Sequence, residues 1–390
     1  MNICLKDFGV VCALGQSKQE LFDNLIAGSQ QGLVLDSELA IEEQQYVGKV
    51  DIPPEAVPEH IDSRNNQLAY LAFKQIEPLV MKLAEQFGRR RVAVVIGSST
   101  SGIAEGEKAR KTLKMEGAYP KQYHYALQEL VAPAHFIADL SGAQGPAYTI
   151  STACSSSAKT LASARALIES GVADVVIAGG VDSMARLTVN GFKALESISK
   201  GKCAPFTGQR DGINIGEAAA LFVLCKEQGG VQLLGVGETS DAYHVSAPHP
   251  SGGGAFNAMS QALQEAGIQG YQIDYVNLHG TGTVKNDEME AKAMFKACGG
   301  EVPCGSTKGM TGHTLGAAGA LEAGICWLLL SDINRSAYIP ANVGEGEISE
   351  EFSSINISSA QQVEQVSYCM SNSFAFGGNN ISLLLGNTDE

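Results

Sequence analysis

Residues 149–171 read TISTACSSSAKTLASARALIESG, and the reading of this stretch decides the fold. Its start is a short apolar run of strand character, and its end carries apolar residues at helical spacing. Cys154 stands between them among small residues, where a strand turns sharply into a helix. The same grammar extends to both sides. Apolar runs at 90–99 (RRVAVVIGSS), 173–183 (ADVVIAGGVDS), 219–227 (AALFVLCKE), 274–283 (DYVNLHGTGT) and 381–386 (ISLLLG) read as buried strands. Helical patterns at 257–267 and 286–298 alternate with them. Strands alternating with helices predict an α/β architecture with strands buried on both faces. The order restarts at 229–243 (GGVQLLGVGETSDAY), after the charged break CKEQGG, so the chain divides into halves at 1–229 and 230–390. The Pro-rich, acidic stretch 51–66 and the polar stretch 342–354 read as surface excursions and not as linkers.

The composition bounds the function. The 390 residues carry 18% charged and 44% hydrophobic residues, the balance of an ordinary globular protein. A net charge of −15 argues against nucleic acid as a partner, because such binding calls for a broad basic surface. Nine cysteines, without paired spacing or a CxxC motif, argue against a disulfide framework and a cysteine zinc site. The opening MNICLKDFGVVCALG lacks the pattern of an export signal, and no run approaches the ~18 apolar residues of a membrane span. The expectation is a cytoplasmic protein without a membrane span.

Three glycine-rich stretches hold reactive side chains. A free cysteine is by itself most often a small buried apolar residue. At a helix start, however, unpaired amides point at the side chain on the turn. Cys154 there is expected to be favoured as thiolate, with the same amides available to an oxyanion. Its small neighbours Ala153, Ser155, Ser156 and Ser157 are expected to leave room for substrate. In 276–293 (VNLHGTGTVKNDEMEAKA), His279 ends a strand and opens a Gly/Thr turn, with the hydroxyls of Thr281 and Thr283 beside it. In 305–325 (GSTKGMTGHTLGAAGALEAGI), Lys308 and His313 precede a helix of small residues that carries Glu322. The STKG string lacks the spacing of a phosphate-binding P-loop. His60, His124 and His135 read as solvated or structural, and His244 stays open between structure and function. One thiol with two histidines fits acyl transfer through a thioester, the second histidine serving a further oxyanion such as an enolate.

TACSSSA (152–158), HGTGT…ND (279–287), STKGMTGHTLGAAGALEA (306–323) and SNSFAFGGNN (371–380) follow one another along the chain. With these motifs in this order, the chain resembles the decarboxylating β-ketoacyl-acyl carrier protein synthases of the KAS I/II kind. That resemblance implies a thiolase-like, five-layered αβαβα fold of two duplicated halves, and a dimer, either of two copies of this chain or of this chain with a homologous ketosynthase-like subunit. It implies that Cys154 accepts the acyl group, that His279 and His313 bind the malonyl thioester carbonyl, and that Lys308 and Glu322 support them as an ion pair. It further implies that Phe376 gates the site and forms the oxyanion hole with Cys154. Thr281, Thr283 and Ser246 would line the tunnel for phosphopantetheine. No cofactor is implied beyond that arm on the acyl carrier protein, and no metal. Where relatives dock the carrier protein on a basic helix, this chain has DSRNNQLAYLAF (62–73), whose one cation is Arg64. Lys108, Arg110, Lys111 and Lys114, or a partner subunit, are the alternatives. RDGINIGEAAALFVL (210–224) and Asn379 also depart from the fatty-acid pattern and resemble the ketosynthases of aryl polyene pigment pathways. Two other readings share the fold: a chain-length-factor-like subunit of a heterodimer, and a thiolase-type acyltransferase. The first usually lacks the cysteine. The second needs another reactive cysteine near the C-terminus, a pattern that Cys369 does not match.

Overall fold

The structure is a computed structural model that describes residues 3–41, 43–52, 57, 61–227 and 229–387. Among the described residues the largest sheet has eleven strands, ten of which form two matching sets of five, with the short strand Asn356–Ile357 added at one edge. The first half holds β1 (Ile3–Val11), β2 (Val92–Gly97), β3 (Ala147–Ile150), β4 (Val175–Asp182) and β5 (Ala218–Cys225). The second holds β6 (Val231–Ser240), β7 (Tyr275–Asn277), β8 (Pro303–Gly305), β9 (Tyr368–Ala375) and β10 (Asn379–Asn387). Their spatial orders are β3-β2-β4-β5-β1 and β8-β7-β9-β10-β6. Position by position these are the same order, and the pairings agree too. β2 runs parallel to β3 and β4, as β7 does to β8 and β9. β5 and β10 are each antiparallel to both neighbours. The duplication inferred from element order is therefore a duplication of topology. The halves join where β1 and β6 pair antiparallel at Ile3–Leu233 and Cys4–Gln232.

Five layers follow from side-chain alternation along the strands. Helix α1 (Arg64–Phe87) covers the outer face of the first sheet. Helices α2 (Ser156–Glu169) and α5 (Ala318–Leu330) lie between the sheets. Helices α3 (Gly253–Ala266) and α4 (Val284–Cys298) cover the far face of the second. Successive side chains of a strand point to opposite faces. Val92, Val94 and Ile96 therefore pack with Leu68, Ala72 and Phe73 of α1, while Ala93 and Val95 face the central layer. In the second sheet, Ile381, Leu383 and Leu385 face the centre, and Leu384 packs with α3 and α4. Both faces are buried, which is why these strands read as unbroken apolar runs.

The central layer sets the site. Helix α5 buries 12 of its 13 residues, so its sequence is apolar all round. It meets α2 closely: a Cβ on Gly319 would lie 2.6 Å from the Ala158 Cβ. This approach brings the helix that starts after Cys154 against the one that starts after His313. Of the expected excursions, residues 53–56 and 58–60 lie outside the described residues. The stretch 342–354 is largely exposed but is pinned by Phe352, which is buried under the Arg210 guanidinium and against the Phe206 ring.

Candidate active site

Cys154 sits two residues before α2, after a turn in which Ala153 takes a left-handed φ of 54°. That conformation is costly for a residue with a Cβ, and the following serines hold it. Ser156 Oγ donates to the Ala153 carbonyl at 2.6 Å and accepts from Thr152 N at 2.9 Å. Ser155 Oγ donates to the Thr152 carbonyl, and Ser157 Oγ accepts from Ala320 N on α5. All three serines are fully buried, so the expectation that they leave room for substrate is corrected. They are small because α2 starts directly over backbone: a Cβ on Gly97 would lie 2.5 Å from Ser157 N. Cys154 alone in 151–158 faces the cleft.

His279 follows β7, and its loop is held from beneath by a buried carboxylate. Glu290 Oε1 accepts from His279 N and Glu290 Oε2 from Gly280 N, each at 2.7 Å. Gly280 is required there, since a Cβ would lie 2.5 Å from the Ser306 Cβ and 2.8 Å from the Phe206 ring. His313 is anchored through its main chain, its N–H donating to the Asn214 carbonyl and its carbonyl accepting from Gly216 N. The two imidazoles stand nearly perpendicular, with centroids 5.4 Å apart. His313 Nε2 lies 3.1 Å from Cys154 Sγ.

The hydrogen-bond partners assign the tautomers. Leu315 N–H donates to His313 Nδ1 at 3.2 Å, and the Lys308 ammonium lies 3.4 Å from His279 Nδ1. Both Nδ1 atoms face donors, so both protons belong on Nε2. Burial, then the Lys308 charge, holds both histidines well below the ordinary histidine pKa, and both are neutral donors. Lys308 also donates to the His279 carbonyl at 2.6 Å and pairs with Glu322 Oε1. Burial raises the Glu322 carboxyl to about 7 against the pull of Lys308.

The sulfur and one nitrogen of each histidine lie within 4.8 Å of one another, a spacing that suits a soft metal ion. The wiring opposes one. A metal on either Nε2 would force a proton onto an Nδ1 that faces another donor. The thiol itself is corrected against expectation: burial pushes Cys154 up to about 11, so it rests protonated. The Lys308 charge and the Phe376 and Cys154 amides pull toward thiolate without overcoming desolvation.

The cleft above these groups encloses about 370 Å³ and is lined by Cys154, His279, His313, Thr281, Thr283, Ser246 and Phe376. Thr281 and Thr283 bond each other through their hydroxyls at 2.8 Å. The Phe376 ring packs at a tilt of 37° against Phe192 of the helix Arg186–Ala194, with centroids 5.7 Å apart. Lys308 and Glu322 lie behind the histidines and are fully buried. His244 lines the cleft, and its Nδ1 accepts from Ser246 N and Ala247 N. His124 and His135 are exposed, and His60 lies outside the described residues. Arg64 does not offer a docking charge: its guanidinium is bound to Glu217 and the Val50 carbonyl. Lys108, Arg110, Lys111 and Lys114 are exposed on the helix Ile103–Glu116. Sequence reasoning missed Glu290, whose signal was its place in the acidic start of α4, and Phe192, which carried none.

The fold is that of the thiolase-like enzymes, and its cleft brings together one cysteine and two histidines. Residues 81–229 and 231–342 match the N-terminal and C-terminal domains of the β-ketoacyl synthase family. The chain is 33% identical over 314 residues to the 3-oxoacyl-(acyl-carrier-protein) synthase 2 of Staphylococcus aureus, covering 75% of this chain and 76% of that protein. Among solved structures it is similar to the ketosynthase ApeO in complex with its chain length factor ApeC from Xenorhabdus doucetiae. That likeness has a TM-score of 0.93 and 43% identity, over 99% of this chain and 98% of the other. It is also similar to the ishigamide ketosynthase/chain length factor, with a TM-score of 0.86 and 25% identity over 100% and 99% of the two chains. The chain belongs to the β-ketoacyl synthase family and is an acyltransferase of the decarboxylative, carbon–carbon bond-forming kind. No helix among the described residues is long and apolar enough to cross a membrane.

Proposed function

We propose that Cys154 takes an acyl group from acyl carrier protein and that His279 and His313 drive its condensation with malonyl-carrier protein. The observation that carries this is the cluster of Cys154, His279 and His313 at the floor of the cleft, with both histidine Nδ1 atoms facing donors and His313 Nε2 3.1 Å from the Cys154 sulfur. In the first half-reaction, the Cys154 sulfur attacks the acyl thioester, and its proton leaves with the carrier thiol. The Phe376 and Cys154 amides receive the oxyanion. In the second, the malonyl carbonyl accepts from both Nε2–H groups while the carbon–carbon bond to CO2 breaks. The enolate attacks the Cys154 thioester, the β-ketoacyl product leaves on its carrier, and a proton returns to the thiolate. Such fixed donors typically contribute about 3–4 kcal/mol each. Lys308 holds the His279 proton on Nε2, and Glu322 balances the ammonium. Thr281, Thr283 and Ser246 line the path of the phosphopantetheine arm. The chemistry calls on no cofactor or metal beyond that carried arm.

A thiolase reading has no support, because Cys369 is buried in the central core beside Cys326. The partner is a homologous subunit. Edge strand β3 has no neighbour on its outer side among the described residues. Met115, Tyr119, Tyr125 and Leu130, in and after the helix Ile103–Glu116, are exposed apolar side chains and are the candidate contacts for that partner. The relatives solved with chain length factors support a heterodimer; residues 210–224 and Asn379 favour an aryl polyene type of chain, elongated in the cytoplasm. The purified protein should release CO2 from malonyl-carrier protein and give a mass shift on Cys154 with acyl-carrier protein. Absence of both, with and without a co-expressed partner, would overturn the assignment.

A further inference from the structure

Asp182 ends β4, is fully buried, and has no cation partner among the described residues. Its two oxygens do different work. Oδ1 accepts from Ser98 Oγ at 2.7 Å, Ser99 N at 2.8 Å, Thr100 N at 2.9 Å and Thr100 Oγ1 at 2.8 Å, closing the loop after β2. Oδ2 also receives a longer bond from Ser99 N, at 3.1 Å, and reaches the other half of the chain, accepting from Gly316 N at 2.6 Å. Gly316 is seated directly on this carboxylate: a Cβ there would lie 2.6 Å from Asp182 Oδ2 and from Ser99 Oγ.

The consequence falls on the residue between Gly316 and the catalytic loop. Leu315 is held in the left-handed region with φ 53°, which a branched side chain adopts only when its surroundings compel it. Two anchors do so. The Leu315 side chain is buried against Met184, Val189, Ile213 and Ile215, and its C-terminal neighbour is fixed by Asp182. In that conformation Leu315 N–H turns back to His313 Nδ1 at 3.2 Å, and the opposite nitrogen faces Cys154.

We propose that Asp182 is a positioning residue for His313: by seating Gly316 it sets the turn at Leu315 that keeps the imidazole proton on Nε2. Without that anchor the turn relaxes, Nδ1 is free to carry the proton, and Nε2 becomes an acceptor that cannot donate to a thioester carbonyl. The catalytic part of this inference rests on the donor role proposed for His313. The tautomer does not.

The test uses the full-length protein with 15N-labelled histidine. In Asp182→Asn, an amide NH2 is set among N–H donors and one acceptor is lost. Gly316→Ala keeps the Asp182 carboxylate but sets a methyl against its Oδ2 and against Ser99 Oγ, which pushes the backbone away, and serves if the first variant does not fold. Each should show the Nδ1–H pattern of 15N shifts for His313. Each should also lower the turnover number for CO2 release about 10–100-fold, with KM and Cys154 acylation within about two-fold. Ser98→Ala removes one donor to Oδ1 and leaves the Gly316 contact intact. It should lose stability yet keep both the tautomer and the CO2 release. The proposal fails if the folded Asn and Ala variants keep the Nε2–H pattern, or if Ser98→Ala shifts the tautomer equally. A tautomer shift with unchanged CO2 release would uphold Asp182 as the positioning residue and refute the donor role of His313.

Discussion

Cys154 shows how strongly burial can offset a favourable local motif. Its place at a helix start, two aimed amides and a nearby ammonium all favour thiolate, yet desolvation leaves it a thiol near 11. Alkylation of Cys154 by iodoacetamide, followed by peptide mass analysis, should therefore accelerate about tenfold per pH unit from 7 to 9. The sign follows from the thiolate being the reactive form and scarce throughout that range. A plateau below pH 8 would show a depressed pKa instead. In the proposed mechanism the histidines serve the other half-reaction. His279→Ala or His313→Ala should cut CO2 release about 100-fold or more while Cys154 still acylates, since removal of one oxyanion donor typically costs that much. Equal loss of both activities would remove the division of labour. Cys154→Ala should abolish the acyl adduct on intact mass. At this scale the sequence displayed the nucleophile and the histidines, because they stand in glycine-rich strand ends. It hid Glu290 and Asp182, which act through contacts to backbone amides and look like ordinary acidic residues.

The α2–α5 crossing is the element on which the site depends. Gly319 lets the two helix starts meet, which places Cys154 and His313 on one floor. Gly319→Val should destabilise the protein by about 1–3 kcal/mol through overpacking, measured as a lower denaturant midpoint with unchanged slope. It should also lower CO2 release, because α5 carries Glu322 behind Lys308. An unchanged midpoint would mean that the central layer repacks freely. Several strands and helices were legible from apolar runs and periodicity, since both sheets are buried on both faces; β1 and β9, which carry Lys6, Asp7, Ser371, Asn372 and Ser373 within them, and the long helix α1 were not. The serines after Cys154 were misread at this same scale. Sequence shows that they are small, but not that strand backbone presses on them.

At the scale of the whole molecule, the acidic net charge and the sequestered Arg64 leave carrier docking to the cations of helix Ile103–Glu116 or to another subunit. The exposed apolar residues in and after that helix favour an assembled state. Met115→Asp together with Tyr125→Asp should shift the assembly toward monomer by light scattering, while Cys154 stays buried. A double variant with unchanged mass would place the interface elsewhere. The sequence by itself determined the duplicated order of elements, the thiol and the two histidines, because each is written in local motifs and spacing; the Lys308–Glu322 pair came only from the family resemblance. Only the tertiary structure decided the protonation of Cys154, the tautomers of the histidines, the capture of Arg64 by Glu217 and the reach of Asp182 to Gly316. These depend on desolvation and on hydrogen bonds between residues distant along the chain, which local sequence patterns do not record.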